Sequence, residues 1–231
     1  MSDNARRASL VARMGATGAG KSTDIRLALD ADGGARRLIW DIKGEYLRYG
    51  VECRTVRELH RRVLKSWAGS FSLVFRPSFD AARGRLQFDW FCSLAYQLGG
   101  VLVVADELHR VMRAGWSPAG WSMLVSMGRA RGVRIIASSQ RPAEFDKGFW
   151  DQATVIRTGR LNGEASARSL AGVLLVPWSE IVSLPDLHWI QRNVARPVIV
   201  RGHIAWRSGR PYEVIDSENP LLPGPARPAP Q

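Results

Sequence analysis

Residues 15–22 read Gly15-Ala16-Thr17-Gly18-Ala19-Gly20-Lys21-Ser22, the spacing G-x-x-x-x-G-K-[ST] of a phosphate-binding (Walker A) loop. Glycines at these positions let the backbone curl so that successive N–H groups point at a polyanion. The lysine then reaches terminal phosphates and the hydroxyl a hard cation. Ahead of the loop, Ser9–Met14 is apolar enough for a short strand, and behind it Thr23–Leu29 places apolar residues at helical spacing. The strand–loop–helix setting that the motif requires is therefore predicted as well. These residues point to a nucleoside triphosphate held by Gly15 through Thr23, with Lys21 on its phosphates and Ser22 on Mg²⁺.

Working outward, strands are predicted at Arg36–Asp41, Phe71–Phe75, Val101–Ala105, Val133–Ser138 and Ala153–Thr158. Helices are predicted near Val56–Ala68, Leu86–Leu98, Pro118–Ala130 and Gly163–Gly172. Strand and helix taking turns imply an α/β fold, a doubly wound and mostly parallel sheet with right-handed crossovers. The unbroken apolar run Val101-Leu102-Val103-Val104-Ala105 suits a central strand covered on both faces. After Trp178 the alternation weakens. Val198–Val200, Ile204–Trp206 and Tyr212–Val214 read as antiparallel edge strands. Pro220, Pro223, Pro225, Pro228 and Pro230 mark an extended tail. The expected organisation is one P-loop domain over residues 1–216 and a proline-rich tail over 217–231.

The central run ends in Asp106-Glu107. In a P-loop ATPase the first acid contacts Mg²⁺ and the second polarises the attacking water; without that loop the pair would be only a charged helix start. The next strand ends in Ser138-Ser139-Gln140-Arg141-Pro142. In P-loop ATPases with an additional strand and a catalytic glutamate, this strand lies between the loop strand and the acid strand. Gln140 would then face both phosphate and water as a sensor.

The chain has 231 residues and a net charge of +12, from 33 Lys and Arg against 21 Asp and Glu. That excess favours polyanionic partners without choosing among DNA, RNA and acidic lipid. Cys53 and Cys92 are the only cysteines, too few for a disulfide framework or a Cys-based metal site, and are expected as small buried hydrophobes. Most of the nine tryptophans are expected in the core. No apolar run reaches the roughly 18 residues of a membrane span, and the N-terminus lacks the apolar core of a secretion signal.

Four segments taken together carry a family resemblance: Gly15–Ser22, the loop Asp41-Ile42-Lys43-Gly44-Glu45-Tyr46, Asp106-Glu107-Leu108-His109, and Gly128-Arg129-Ala130-Arg131-Gly132-Val133 leading into Ser139-Gln140-Arg141-Pro142. In this order the chain resembles the FtsK/HerA superfamily of DNA-pumping ATPases, a RecA-like class, over roughly residues 9–160. The resemblance implies ATP and Mg²⁺ as ligands and a homo-oligomeric ring, in that family a hexamer. It also implies an arginine acting on the neighbouring subunit's nucleotide, for which Arg129 matches best and Arg131 next, with Arg157 and Arg160 behind them.

Cellular members carry an N-terminal barrel, membrane helices or a winged-helix reader, whereas few residues here precede the first strand. On that contrast the chain is similar to the genome-packaging ATPases of membrane-containing icosahedral phages, the tectivirus type. They drive double-stranded DNA into a preformed capsid from the host cytoplasm, against a portal or membrane anchor at the packaging vertex of the virion. Two alternatives stay open, a morphogenesis or conjugation ATPase moving single-stranded DNA at a membrane and a small-molecule P-loop kinase. A GTPase would carry N-K-x-D, which is missing, and an intact Lys21, Asp106, Glu107 and Gln140 set argues against an inert scaffold. A pump should hold phosphates rather than bases, and Arg110, Arg113, Arg141 and Lys147, on the loops after the acid and sensor strands, are the DNA-contact candidates.

Overall fold

The apolar runs pair into one ten-stranded sheet in the order β10-β9-β8-β7-β1-β6-β5-β2-β4-β3, described by a computed structural model for residues 9–194 and 198–220. Its strands are β1 (Leu10–Met14), β2 (Arg36–Trp40), β3 (Val51–Cys53), β4 (Phe71–Phe75), β5 (Leu102–Ala105), β6 (Arg134–Ser139), β7 (Val155–Thr158), β8 (His188–Asn193), β9 (Val198–Arg207) and β10 (Arg210–Pro220). Strands β1 to β7 pair parallel throughout, and β8, β9 and β10 add on antiparallel beside β7. The helices are α1 (Lys21–Ala31), α2 (Val56–Lys65), α3 (Ala81–Leu98), α4 (Ala119–Met127), α5 (Lys147–Gln152), α6 (Glu164–Leu174) and α7 (Trp178–Val182).

Side chains that alternate along each parallel strand serve two cores, one on each face of the sheet. Leu38 and Trp40 of β2, and Val103 and Ala105 of β5, face α3 and α4, where Trp40 packs against Phe75, Phe88 and Phe91. Ile39, Leu102, Val104 and Ile136 face the other way, onto Ile25 and Leu29 of α1. Burying these side chains contributes about 1.5–3 kcal/mol each, which fixes the register that carries the loops at the strand ends.

Local chemistry sets the ends that periodicity misplaced. Helix α3 begins at Ala81, before the predicted Leu86, because the Asp80 carboxylate caps it by accepting from Arg83 N–H at 2.7 Å. Helix α4 stops at Met127, and residues 128–131 tighten into a 3₁₀ turn closed by Gly132 at φ 72°.

The two runs read as separate strands around residue 202 are one strand, β9. Gly202 keeps it continuous, since a Cβ there would lie 2.4 Å from the ring of Trp189. Ser208 and Gly209, both at positive φ, turn β9 into β10 as a two-residue hairpin. Strand β10 runs on through Ser217–Pro220, residues the sequence placed in the tail; residues 221–231 lie outside the described residues. Cys53 and Cys92 are buried as expected. Of the tryptophans, Trp40, Trp121 and Trp189 are buried while Trp67, Trp116 and Trp206 are exposed.

Candidate nucleotide-hydrolysis site

The loop after β1 is shaped by three glycines at positive φ, Gly15, Gly18 and Gly20, a region costly for residues with a Cβ. It is pinned from β7, where Ala16 N–H donates to Arg160 C=O at 2.8 Å and Gly159 N–H to Met14 C=O at 2.9 Å. The first helical bond of α1 is Asp24 N–H to Gly20 C=O. The N–H groups of Lys21, Ser22 and Thr23 therefore precede it and are left for a ligand. They open into a cleft of about 300 Å³ lined by Ala16, Thr17, Gly18, Gly20, Lys21, Ser22 and Thr23, with Lys43, Glu45 and Gln140 opposite. Gly15 and Ala19 form the back of the loop, Ala19 Cβ lying 3.3 Å from the Cβ position of Gly15. A larger cleft of about 520 Å³ at the opposite edge of the sheet is lined by Asp32, Gly34 and Arg134. Its acid is already paired with Arg37 and Arg134, so chemistry rather than size selects the first.

Strands β5 and β6 deliver the two acids and Gln140 to this cleft. As predicted, β6 lies between β1 and β5. Glu107 is buried, at φ 58°, a left-handed conformation that costs a non-glycine residue about 1–3 kcal/mol. Its Oε1 accepts from three donors: Lys21 Nζ at 3.2 Å, Lys43 Nζ at 2.8 Å and Gln140 Nε2 at 2.8 Å. Oε2 faces His109 Nε2 at 3.4 Å. Burial works to raise its pKa, but Lys43, then Lys21 and Gln140, outweigh burial and bring it down to about 2. Gln140 Oε1 in turn accepts from Thr17 Oγ1 at 3.2 Å, which links Gln140, the acid and the phosphate loop in one chain of hydrogen bonds.

Asp106 sits deeper. Ser138 Oγ donates to its Oδ1, and the Tyr46 hydroxyl lies 3.4 Å from its Oδ2. Burial raises its pKa despite Lys21 and Ser138. Burial, then Asp106, raises that of Tyr46. Ser22 hydroxyl and Asp106 carboxylate form an oxygen-only donor set that fits a hard divalent cation. These two residues would hold Mg²⁺, which would supply charge neutralisation on the phosphates.

The loop after β2 supplies what motif reading left without a role. Asp41 is fully buried and folds the loop by accepting from the N–H groups of Gly44, Glu45 and Tyr46 at 2.7, 3.0 and 2.9 Å. That turn carries Lys43 to Glu107, Tyr46 to Asp106 and Glu45 to the cleft. The signal was in the sequence as the Asp41–Tyr46 segment, but only folding reveals which atom each side chain meets.

The arginine candidates separate by position. Arg129 is exposed in the turn before β6, its side chain without a hydrogen-bond or ion-pair partner among the described residues. It therefore lies at the edge opposite the phosphate loop, roughly 20 Å away for six residues of β6 at about 3.3 Å each. Arg131 is bound within its own chain, donating to Tyr96 C=O and Gln97 C=O at 2.7 Å each. Arg157 is buried rather than poised for a neighbour. Its guanidinium lies 3.7 Å from the Trp189 ring centroid, pairs with Asp24 at 2.7 Å and also with Glu213. Asp24 pairs too with Arg13 at 2.7 Å, so the cluster ties β1, α1, β7 and β10 together behind the phosphate loop. Arg160 is tied to Asp186 at 2.7 Å.

Arg110, Arg113 and Arg141 on the segments beyond β5 and β6, and Lys147 at the start of α5, are all exposed. Arg113 stacks on Trp116 and Arg141 pairs with Glu144. Helix α5 anchors the segment between β6 and β7 through Phe149, which is buried against Trp121.

No protein-family model matches the sequence, and no curated protein matches it. Solved structures do. The chain is similar to the genome packaging NTPase B204 of Sulfolobus turreted icosahedral virus 2 in complex with ATP-gammaS, at 16% identity and TM-score 0.63, covering 96% of this chain and 100% of that one. It is likewise similar to B204, the DNA-packaging ATPase of Sulfolobus turreted icosahedral virus, at 15% identity and TM-score 0.64, covering 86% and 98%. The fold is that of a P-loop NTPase. The same fold recurs in the cytoplasmic domain of the Thermomonospora curvata type VII secretion ATPase EccC, at 19% identity and TM-score 0.53, covering 87% of this chain and 26% of that one. The mostly parallel sheet with antiparallel C-terminal strands is the architecture expected from the sequence. No helix among the described residues is long and apolar enough to cross a membrane.

Proposed function

We propose that this chain is an ATP-hydrolysing motor that translocates DNA, and that its cargo is a double-stranded viral genome packed into a preformed capsid. The observation that carries the hydrolytic part is Glu107, a buried carboxylate linked through Gln140 to Thr17 of the phosphate loop and touching Lys21. Bound triphosphate competes with Glu107 for Lys21, because several phosphate oxygens outweigh one carboxylate oxygen. Lys21 moves toward the β- and γ-phosphates and frees the carboxylate to accept a proton. Water then attacks the γ-phosphorus. The new O–P bond forms, the bond to the β-phosphate oxygen breaks, and Glu107 accepts the water's proton while Gln140 orients the nucleophile.

The ring and the DNA grip belong to the same proposal. Arg129, unpartnered on the edge opposite its own cleft, suits a contact with a neighbouring subunit's nucleotide, as a homo-oligomeric ring would require. The ATP-analogue and packaging descriptions of the similar viral NTPases support the reading.

The test is ATP turnover with and without double-stranded DNA. Stimulation severalfold by duplex DNA and loss in Glu107→Gln are expected. Preferential stimulation by single strands would move the cargo to the alternative, and turnover that needs a phosphate-accepting nucleoside would replace the motor with a kinase.

A further inference from the structure

We propose that His188, His203 and Asp216 form a binding site for a divalent zinc-class ion, separate from the Mg²⁺ position in the cleft. The ligand atoms these three side chains offer all lie within 4.8 Å of one another. His188 and His203 are direct cross-strand partners on β8 and β9, with ring centroids 5.1 Å apart at 26°. Asp216 reaches them because the β9–β10 register slips between Ile215 and Ser217. The bulge leaves Asp216 out of the ladder and re-aims its side chain.

Two details place the ligands for one ion. His203 Nδ1 lies 3.0 Å from Asp216 Oδ1, so a shift of a few tenths of an ångström lets both reach one ion at bonds of about 2.0–2.2 Å. His188 Nδ1 lies 3.1 Å from the backbone carbonyl of Asp186, and a ring N–H donated to a carbonyl fixes the tautomer that presents Nε2 to a metal. Two imidazoles and one carboxylate suit zinc, copper or nickel rather than Mg²⁺ or Ca²⁺. Both histidines are partly exposed and Asp216 is exposed, so an ion can enter and water can complete the coordination.

The site's place gives it a consequence. Leu187 and Ile204, adjacent in sequence to the two histidines, lie 3.0 and 3.4 Å from the Cβ position of Gly20. An ion that fastens β8, β9 and β10 braces the wall against which the phosphate loop packs.

The experiment is titration of the metal-free full chain with zinc chloride by calorimetry, with the zinc-induced shift in thermal midpoint as a second readout. One equivalent should bind, and His188→Ala and His203→Ala should each weaken binding at least tenfold and abolish the midpoint shift. Asp216→Asn, which keeps the side chain's shape, should weaken it by a smaller factor, and His60→Ala on α2 should leave it unchanged. No saturable binding, or binding that survives both histidine substitutions, overturns the site. Neither readout uses ATP, so the result is independent of the motor proposal.

Discussion

Lys43 Nζ lies 2.8 Å from Glu107 Oε1, closer than the 3.2 Å of the phosphate-loop lysine Lys21. When nucleotide draws Lys21 away, Lys43 remains as the cation that holds the carboxylate in place and keeps it ionised. Removing it should cost orientation and raise the carboxylate's pKa together. Lys43→Ala is expected to lower kcat while leaving KM for ATP within a fewfold. It should also move the acid limb of the rate profile upward by about 1 pH unit, the usual effect of losing one opposite charge at contact distance. A pH–rate series checks this, and an unchanged acid limb would separate Lys43 from the chemistry.

The two acids should respond oppositely to neutralisation. Glu107 has its pKa lowered from 4.5 to about 2. Its ionisation therefore adds stability that is complete above about pH 5 and is lost as pH falls toward 2. Glu107→Gln should slow hydrolysis by at least about 100-fold, keep nucleotide binding, and flatten the acid arm of the stability curve. Asp106 has its pKa raised by burial, so its ionised form works against the fold at neutral pH. Asp106→Asn should raise the thermal midpoint at pH 7 while losing Mg²⁺-dependent turnover. Thermal melts across pH, paired with turnover assays, check both.

The phosphate loop, the acids and the parallel sheet were legible because each depends on local pattern: glycine spacing, apolar periodicity, and acids at the end of a buried run. Strand β8 escaped because His188-Trp189-Ile190-Gln191-Arg192-Asn193 is bounded by polar side chains and is stabilised only by pairing with β7 and β9. Strand β3, three residues long, is set by pairing with β4 rather than by propensity. Lys43 and Tyr46 lay in a quoted motif, yet their partners are about 60 residues away in sequence, a separation that periodicity does not bridge. Arg157 was misjudged for the same reason, since Asp24, Trp189 and Glu213 converge on it only in three dimensions.

Arg129 is exposed and far from its own cleft, so the role proposed for it requires another copy of the chain. Arg129→Ala should reduce turnover by about 10³-fold, the scale of a trans arginine, with nucleotide affinity nearly intact. Lys21→Ala should instead abolish nucleotide binding. In a ring, mixing the two inactive variants creates interfaces that pair an intact Lys21 cleft with an intact Arg129. Partial recovery of turnover on mixing is expected, and its absence alongside confirmed co-assembly would refute the trans assignment.

Arg110, Arg113, Arg141 and Lys147 surround the cleft's edge of the sheet, and a grip on phosphates through such residues releases counterions. Each contact should add about 0.9 to the slope of log affinity against log salt on duplex DNA. Arg110→Ala and Lys147→Ala, which have no ion-pair partner among the described residues, should each lower that slope by nearly one and weaken binding equally on unrelated sequences. Arg141→Ala should do less, because Glu144 already neutralises it at 3.0 Å. Binding isotherms at several salt concentrations on two unrelated duplexes measure slope and sequence preference together. A slope unchanged in all three variants would move the DNA path off these loops, and a loss confined to one sequence would mean that bases are read.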